Sequence, residues 1–138
     1  MDNIKFLSTL FLVIVFTHIV GTWRSWYWSL SWLDIPMHFL GGFFIAVFFL
    51  WARKNLPFLI GKNNFFVDFI IVLGFVALVG VLWEFFEYFL DYFFADRGVM
   101  PLSQISLQDT LGDLLFDLIG GFSARFIHSA LRGFKANS

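Results

Sequence analysis

Cysteine is absent from the 138-residue chain, which excludes a disulfide, a thiolate metal site and a cysteine nucleophile. Charge is scarce as well. Asp, Glu, Lys and Arg together make up 14% of the residues, against about 25% in an ordinary soluble chain. The net charge of −1 provides no basic surface of the kind that draws nucleic acid. GxSxG, a phosphate-binding P-loop and HExxH are all missing, so none of these familiar catalytic patterns marks the chain. What fills it is apolar: 59% of residues are hydrophobic, with 22 Phe and 6 Trp. That is the composition of a protein dissolved in lipid.

Four apolar segments stand out, at about 4–21, 35–51, 65–94 and 107–126. A spanning helix needs about 20 residues, and only helices satisfy their own backbone within such segments in lipid. The expected fold is therefore an all-α membrane protein, a bundle of four transmembrane helices forming a single domain over 1–138. The third segment is long enough to tilt or to project beyond the bilayer. Lys5 followed by residues 6–16 has the outline of a signal peptide, but THIVGTW offers no small-x-small cleavage pattern. The first segment is accordingly expected to remain as a helix. Asp34 precedes Ile35-Pro36 and is placed to cap the second helix. Ser103 or Ser106 can do the same for the fourth. Between the first two helices, WRSWYWSLSWL has the composition of an interfacial aromatic belt.

With four spans, Lys5, Arg53, Lys54, Lys62, Arg125, Arg132 and Lys135 fall on one side, and only Arg24 and Arg97 on the other. The positive-inside rule then puts both termini in the cytoplasm. The expected location is the bacterial cytoplasmic (inner) membrane, crossed several times.

The polar residues inside the segments are ordered. At about 100° per residue, Asp109, Asp113 and Asp117 share one helix face, with Gly112 and Gly120 on or beside it. Gly80, Glu84, Glu87 and Asp91 share a face of the third helix, and Asp34, His38 and Gly41 a face of the second. Glycine lets helix backbones approach closely in membranes, so the three stripes are expected to turn toward one another. Counting depth at about 1.5 Å per residue pairs Asp113 with Glu87, Asp117 with Glu84, and His38 with Asp91 or Asp109. Three aspartates in lipid cost up to about 9 kcal/mol, and the large apolar residues of the same helix return about 4–5 kcal/mol. No Lys or Arg shares these faces. The carboxyls need a bound cation, protonation with hydrogen bonds, or a water-filled cavity.

The sharpest of these expectations is a metal site in the outer half of the bilayer, formed by His38, Glu84, Glu87, Asp109, Asp113 and Asp117. Its oxygen-rich ligand set suits Mg²⁺, Mn²⁺ or Ca²⁺ better than Zn²⁺ or iron. The corresponding activity is on an envelope lipid or its phosphate headgroup, with His38 and Glu87 as acid–base groups. The competing readings are a proton- or ion-coupled transporter using the same carboxyls, and a small scaffold whose carboxyls hydrogen-bond across helices. Expected partners are membrane lipids and a second copy or another protein. Outside the stripes, Asp91 and Asp96 read as solvated at the outer surface, His18 as packed or bonded to backbone, and His128 as interfacial.

Taken in order, DIPMHFLGG, WEFFEYFLD and LQDTLGDLLFDLIGG resemble the YjdF-like family of small bacterial inner-membrane proteins and, more distantly, VanZ-like proteins. The resemblance covers about residues 34–121, with His38, Gly41, Glu84, Glu87, Asp109, Thr110 and Asp113 at matching positions. It implies a polytopic bacterial membrane protein, and the VanZ link implies a role at the cell envelope or in glycopeptide tolerance. It implies no particular reaction.

Overall fold

The computed structural model describes residues 3–30, 32–56, 65–95, 102–103 and 106–136. Lys62, Asp96 and Arg97, used in the sequence reading, lie outside the described residues. Every element is helical: α1 Ile4–Trp23, α2 Trp26–Ser29, α3 Asp34–Asn55, α4 Phe65–Leu90 and α5 Leu107–Ala136. A π-helical turn, Asp91–Ala95, continues α4. Four stretches are long and apolar enough to cross a membrane: Ile4–Trp23, Asp34–Asn55, Phe65–Ala95 and Leu107–Leu131. The four expected segments are thus all present as helices. The fourth runs past its expected end, because the residues after Phe126 turn more polar without introducing a proline.

Local chemistry explains most of the ends. The Asn3 side chain accepts the Lys5 N–H at 3.0 Å and caps α1. Ser25, at φ 57°, turns the chain into α2. Ser106 Oγ accepts the Asp109 N–H at 3.2 Å, so Ser106 is the cap of α5. Ser103 has another use: its N–H donates to Asp91 Oδ1 at 2.7 Å. Asp34 corrects the expectation that it caps the second helix. The capping position is Leu33, without a side-chain hydrogen bond, and Asp34 lies inside the first turn of α3, which carries its carboxylate toward His38.

The closest packing is between α3 and α5. A Cβ at Gly42 would collide with the backbone of Asp117, and one at Gly120 with the carbonyl of Phe39. Two helix backbones meet directly at this crossing, as small residues allow where lipid provides no hydrophobic drive. α4 packs across the pair. Val76 covers Gly121, and Phe49 and Phe75 meet at 4.9 Å between centroids. The tightest part of the core is aliphatic: Ala46, Val47, Val72, Val76 and Ala124 are each no more than 2% exposed. α1 lies at the edge. Only its Leu7 and Gly21 are buried, with Phe11 against Phe44 of α3 and Gly21 against the Tyr27 ring.

This packing predicts a split among the glycines. Gly42→Ala and Gly120→Ala should each destabilise the bundle by about 1–3 kcal/mol, the usual penalty for overpacking. Gly74→Ala and Gly112→Ala, where a Cβ meets nothing within 4 Å, should match the parent or stabilise it by up to about 1 kcal/mol, the gain in helix propensity. Thermal unfolding in one detergent ranks the four.

Candidate functional site

The α3–α5 crossing sets the site. His38 is one turn along α3 from Asp34, and Asp113 and Asp117 are one turn apart on α5. With the backbones in contact, the imidazole enters the row of aspartates. His38 Nδ1 lies 3.5 Å from Asp117 Oδ2. His38 Nε2 lies 3.6 Å from Asp34 Oδ1 and 3.8 Å from Asp113 Oδ1. These separations exceed a direct hydrogen bond, about 2.7–3.2 Å, and are close electrostatic approaches. His38, Asp113 and Asp117 are buried. Asp34 is half-buried.

Glycine makes room for Asp117. Its carboxylate fills the space where Gly80 of α4 would carry a Cβ, and it approaches the corresponding point at Gly41 to 3.8 Å. From α4, the buried Glu84 and half-buried Glu87 reach the same imidazole. His38, Glu84 and Glu87 each offer a ligand atom within 4.8 Å of the others, and so do Asp34, His38 and Asp113. Glu87 Oε1 also accepts the Trp83 indole N–H at 3.1 Å. A cavity of about 170 Å³ opens beside the cluster, with His38, Asp117, Gly80 and His18 in an otherwise mainly apolar wall.

The three stripes therefore converge, with His38 at their centre. His38 faces Asp34, Asp113 and Asp117 instead of Asp91 or Asp109, and Asp117 packs against Gly80, one turn from Glu84. The glycine crossing is the reason, since it draws α5 onto α3 more closely than onto α4. Asp109 is not in either convergent group around His38 among the described residues. It lies in the first turn of α5, its N–H held by Ser106. Asp91 is buried against the Ser103 N–H rather than solvated. His18 finds a side chain, with Nδ1 3.0 Å from the Tyr27 hydroxyl. His128 is buried at 8% exposure.

A second polar centre escaped the sequence reading. At the opposite end of the bundle, Asp68 of α4 pairs with both Arg53 of α3 and Arg125 of α5. Arg125 Nη2 donates to Asp68 Oδ2 at 3.1 Å, and its guanidinium lies over the Phe65 ring at 4.7 Å. Arg125 and Asp68 are both buried. The available signal was a lone acid in the first turn of an apolar helix, level with two arginines on the flanking helices.

Residues 4–133 match a family described as predicted membrane protein (DUF2238). The chain belongs to this family. All residues of both polar centres fall within the matched segment. The DUF2238 chain is also similar to an uncharacterized protein of Thermotoga maritima, 32% identical over 114 residues, covering 79% of this chain and 54% of that protein. It thus spans about half the length of the curated relative it matches. No solved structure matches it. Family and fold agree on a multi-pass membrane protein.

Asp68→Leu should leave two guanidinium groups facing each other and destabilise this DUF2238 protein by about 3–5 kcal/mol. Adding Arg125→Met to that variant should restore part of the loss, because the more deeply buried of the two guanidinium groups is then no longer stranded and only the more exposed Arg53 remains. Thermal unfolding of the parent, single and double variants in one detergent checks both.

Proposed function

We propose that the His38 cluster binds a divalent cation within the membrane and acts on an envelope lipid or its phosphate headgroup. One observation carries this reading: both nitrogens of a buried imidazole face carboxylates, and acids from three helices reach it. An oxygen-rich set with a single nitrogen suits Mg²⁺, Mn²⁺ or Ca²⁺, and carboxylates in lipid need a counter-charge. Asp34 joins His38, Glu84, Glu87, Asp113 and Asp117 as a ligand candidate, while Asp109 becomes peripheral. A bound ion would supply charge neutralisation to a phosphate. His38 and Glu87 would hold or move a proton beside it. The neighbouring apolar cavity is suited to a lipid chain.

The competing pathway reading requires polar groups to continue through the bundle. Between the His38 cluster and the Asp68 centre lies the aliphatic layer of Ala46, Val47, Val72, Val76 and Ala124, which supports a blind site. The inner-membrane location, cytoplasmic termini and narrower YjdF-like and VanZ-like kinship belong to the same proposal. On it, the end of the bundle carrying Arg53 and Arg125 faces the cytoplasm.

Metal analysis by mass spectrometry on detergent-purified protein should find about one ion per chain, as expected for a single site. It should fall away in His38→Ala, Glu87→Gln and Asp113→Asn but persist in Asp109→Asn. No retained metal after incubation with Mg²⁺, Mn²⁺ and Zn²⁺ would refute the cation site. Because the chain has no cysteine of its own, single Ser29→Cys and Asn55→Cys variants report orientation. An impermeant maleimide should label position 29 in intact cells and position 55 only after lysis. The reverse pattern would overturn the orientation.

A further inference from the structure

A second cavity lies beside the first and differs from it in character. It holds about 90 Å³, several times the roughly 10–15 Å³ that admits one water. Its wall includes Tyr27 and Trp28 of α2, His18 of α1, and Trp83, Phe86 and Glu87 of α4. His18 and Trp83 line both cavities. Their rings meet edge to face at 5.7 Å and form the partition between the two.

The polar edges of this aromatic wall are already engaged. The Trp28 indole N–H donates to the Leu102 carbonyl at 2.9 Å. The Trp83 indole N–H donates to Glu87 Oε1 at 3.1 Å. The Tyr27 hydroxyl and His18 Nδ1 share a hydrogen bond at 3.0 Å. An anion entering the cavity would find both indole N–H groups already committed. A cation would meet a wall rich in aromatic rings, whose π systems attract cations, and the carboxylate of Glu87. A hard metal ion prefers several oxygen ligands, which a mostly aromatic wall does not supply. A cation with an apolar surface suits aromatic faces arranged around a carboxylate.

We propose that this aromatic cavity is a binding site for an organic ammonium, a quaternary or alkylated amine that arrives either free or as a lipid headgroup. The site goes beyond the metal reading and shares only Glu87 with it. Its place at the Trp-rich end of the bundle, where α2 meets residues 102–103, is the depth at which aromatic belts and headgroups sit.

Calorimetry on the full chain in an uncharged maltoside detergent tests the proposal. Tetramethylammonium should bind saturably where sodium at equal ionic strength does not. Affinity should fall at least tenfold, by about 1.4 kcal/mol, in both Phe86→Ala and Glu87→Gln. Phe86 is 48% exposed and stands outside the His38 cluster, so Phe86→Ala should fold and keep any bound metal. A soluble short-chain phosphatidylcholine, compared with the matching phosphatidylglycerol, separates the sources. Choline-lipid binding at least tenfold tighter than tetramethylammonium assigns a lipid headgroup, and equal affinity assigns a free cation. No saturable binding of either ammonium probe, or unchanged affinity in folded Phe86→Ala, would overturn the site and leave the metal reading untouched.

Discussion

The bundle depends on one backbone contact. At Gly42 and Gly120, α3 and α5 touch main chain to main chain, and both polar features of the site follow. An interaxial distance enforced by larger side chains, commonly about 8–10 Å, would hold the aspartates away from the imidazole. With the glycines, Asp117 slides under His38 and its carboxylate occupies the hollow at Gly80. Close approach in lipid is favoured through packing and polar contact, since lipid tails already solvate apolar surface. The glycines and acids therefore act together: the first permit the approach and the second need it.

Much of this was legible in the sequence, for a physical reason. A helix in lipid must be long and apolar, and its exceptions are few enough to be conspicuous. Four spans, three stripes and their convergence could be read from spacing alone. Asp34 was misread because a polar residue before Ile-Pro has the local signature of a cap, and local signatures do not register a histidine one turn on. The neighbours of His38 were not legible because depth along an axis says nothing about which neighbour lies nearest. That is decided by where small residues allow contact. Arg53 and Arg125 were counted as charges on one side of the membrane but not as partners of Asp68, because positive-inside reasoning counts cations without asking what they touch.

The two polar centres differ in electrical character. Around His38, carboxylates outnumber the one basic side chain. Around Asp68, two guanidinium groups share one carboxylate. The aliphatic layer between them excludes water and keeps the effective dielectric low, so each centre must be satisfied largely by its own neighbours. The Asp68 centre has its counter-charges built into the chain. The His38 centre carries more acids than bases, and this asymmetry separates the two centres.

α1 has little part in either arrangement, and its loose attachment gives the molecule two tiers of stability. Separating α3, α4 and α5 would strand buried charges and expose helix backbones. Lifting α1 would mainly exchange side-chain contacts, such as Phe11 on Phe44, for contacts with acyl chains of similar cohesion. A polar tie near its end, His18 to Tyr27, joins it to α2, and the same imidazole meets the Trp83 ring of α4 only edge to face. Partial opening of the bundle therefore starts at α1. It exposes the larger cavity sideways to the bilayer while the ionic interior stays assembled.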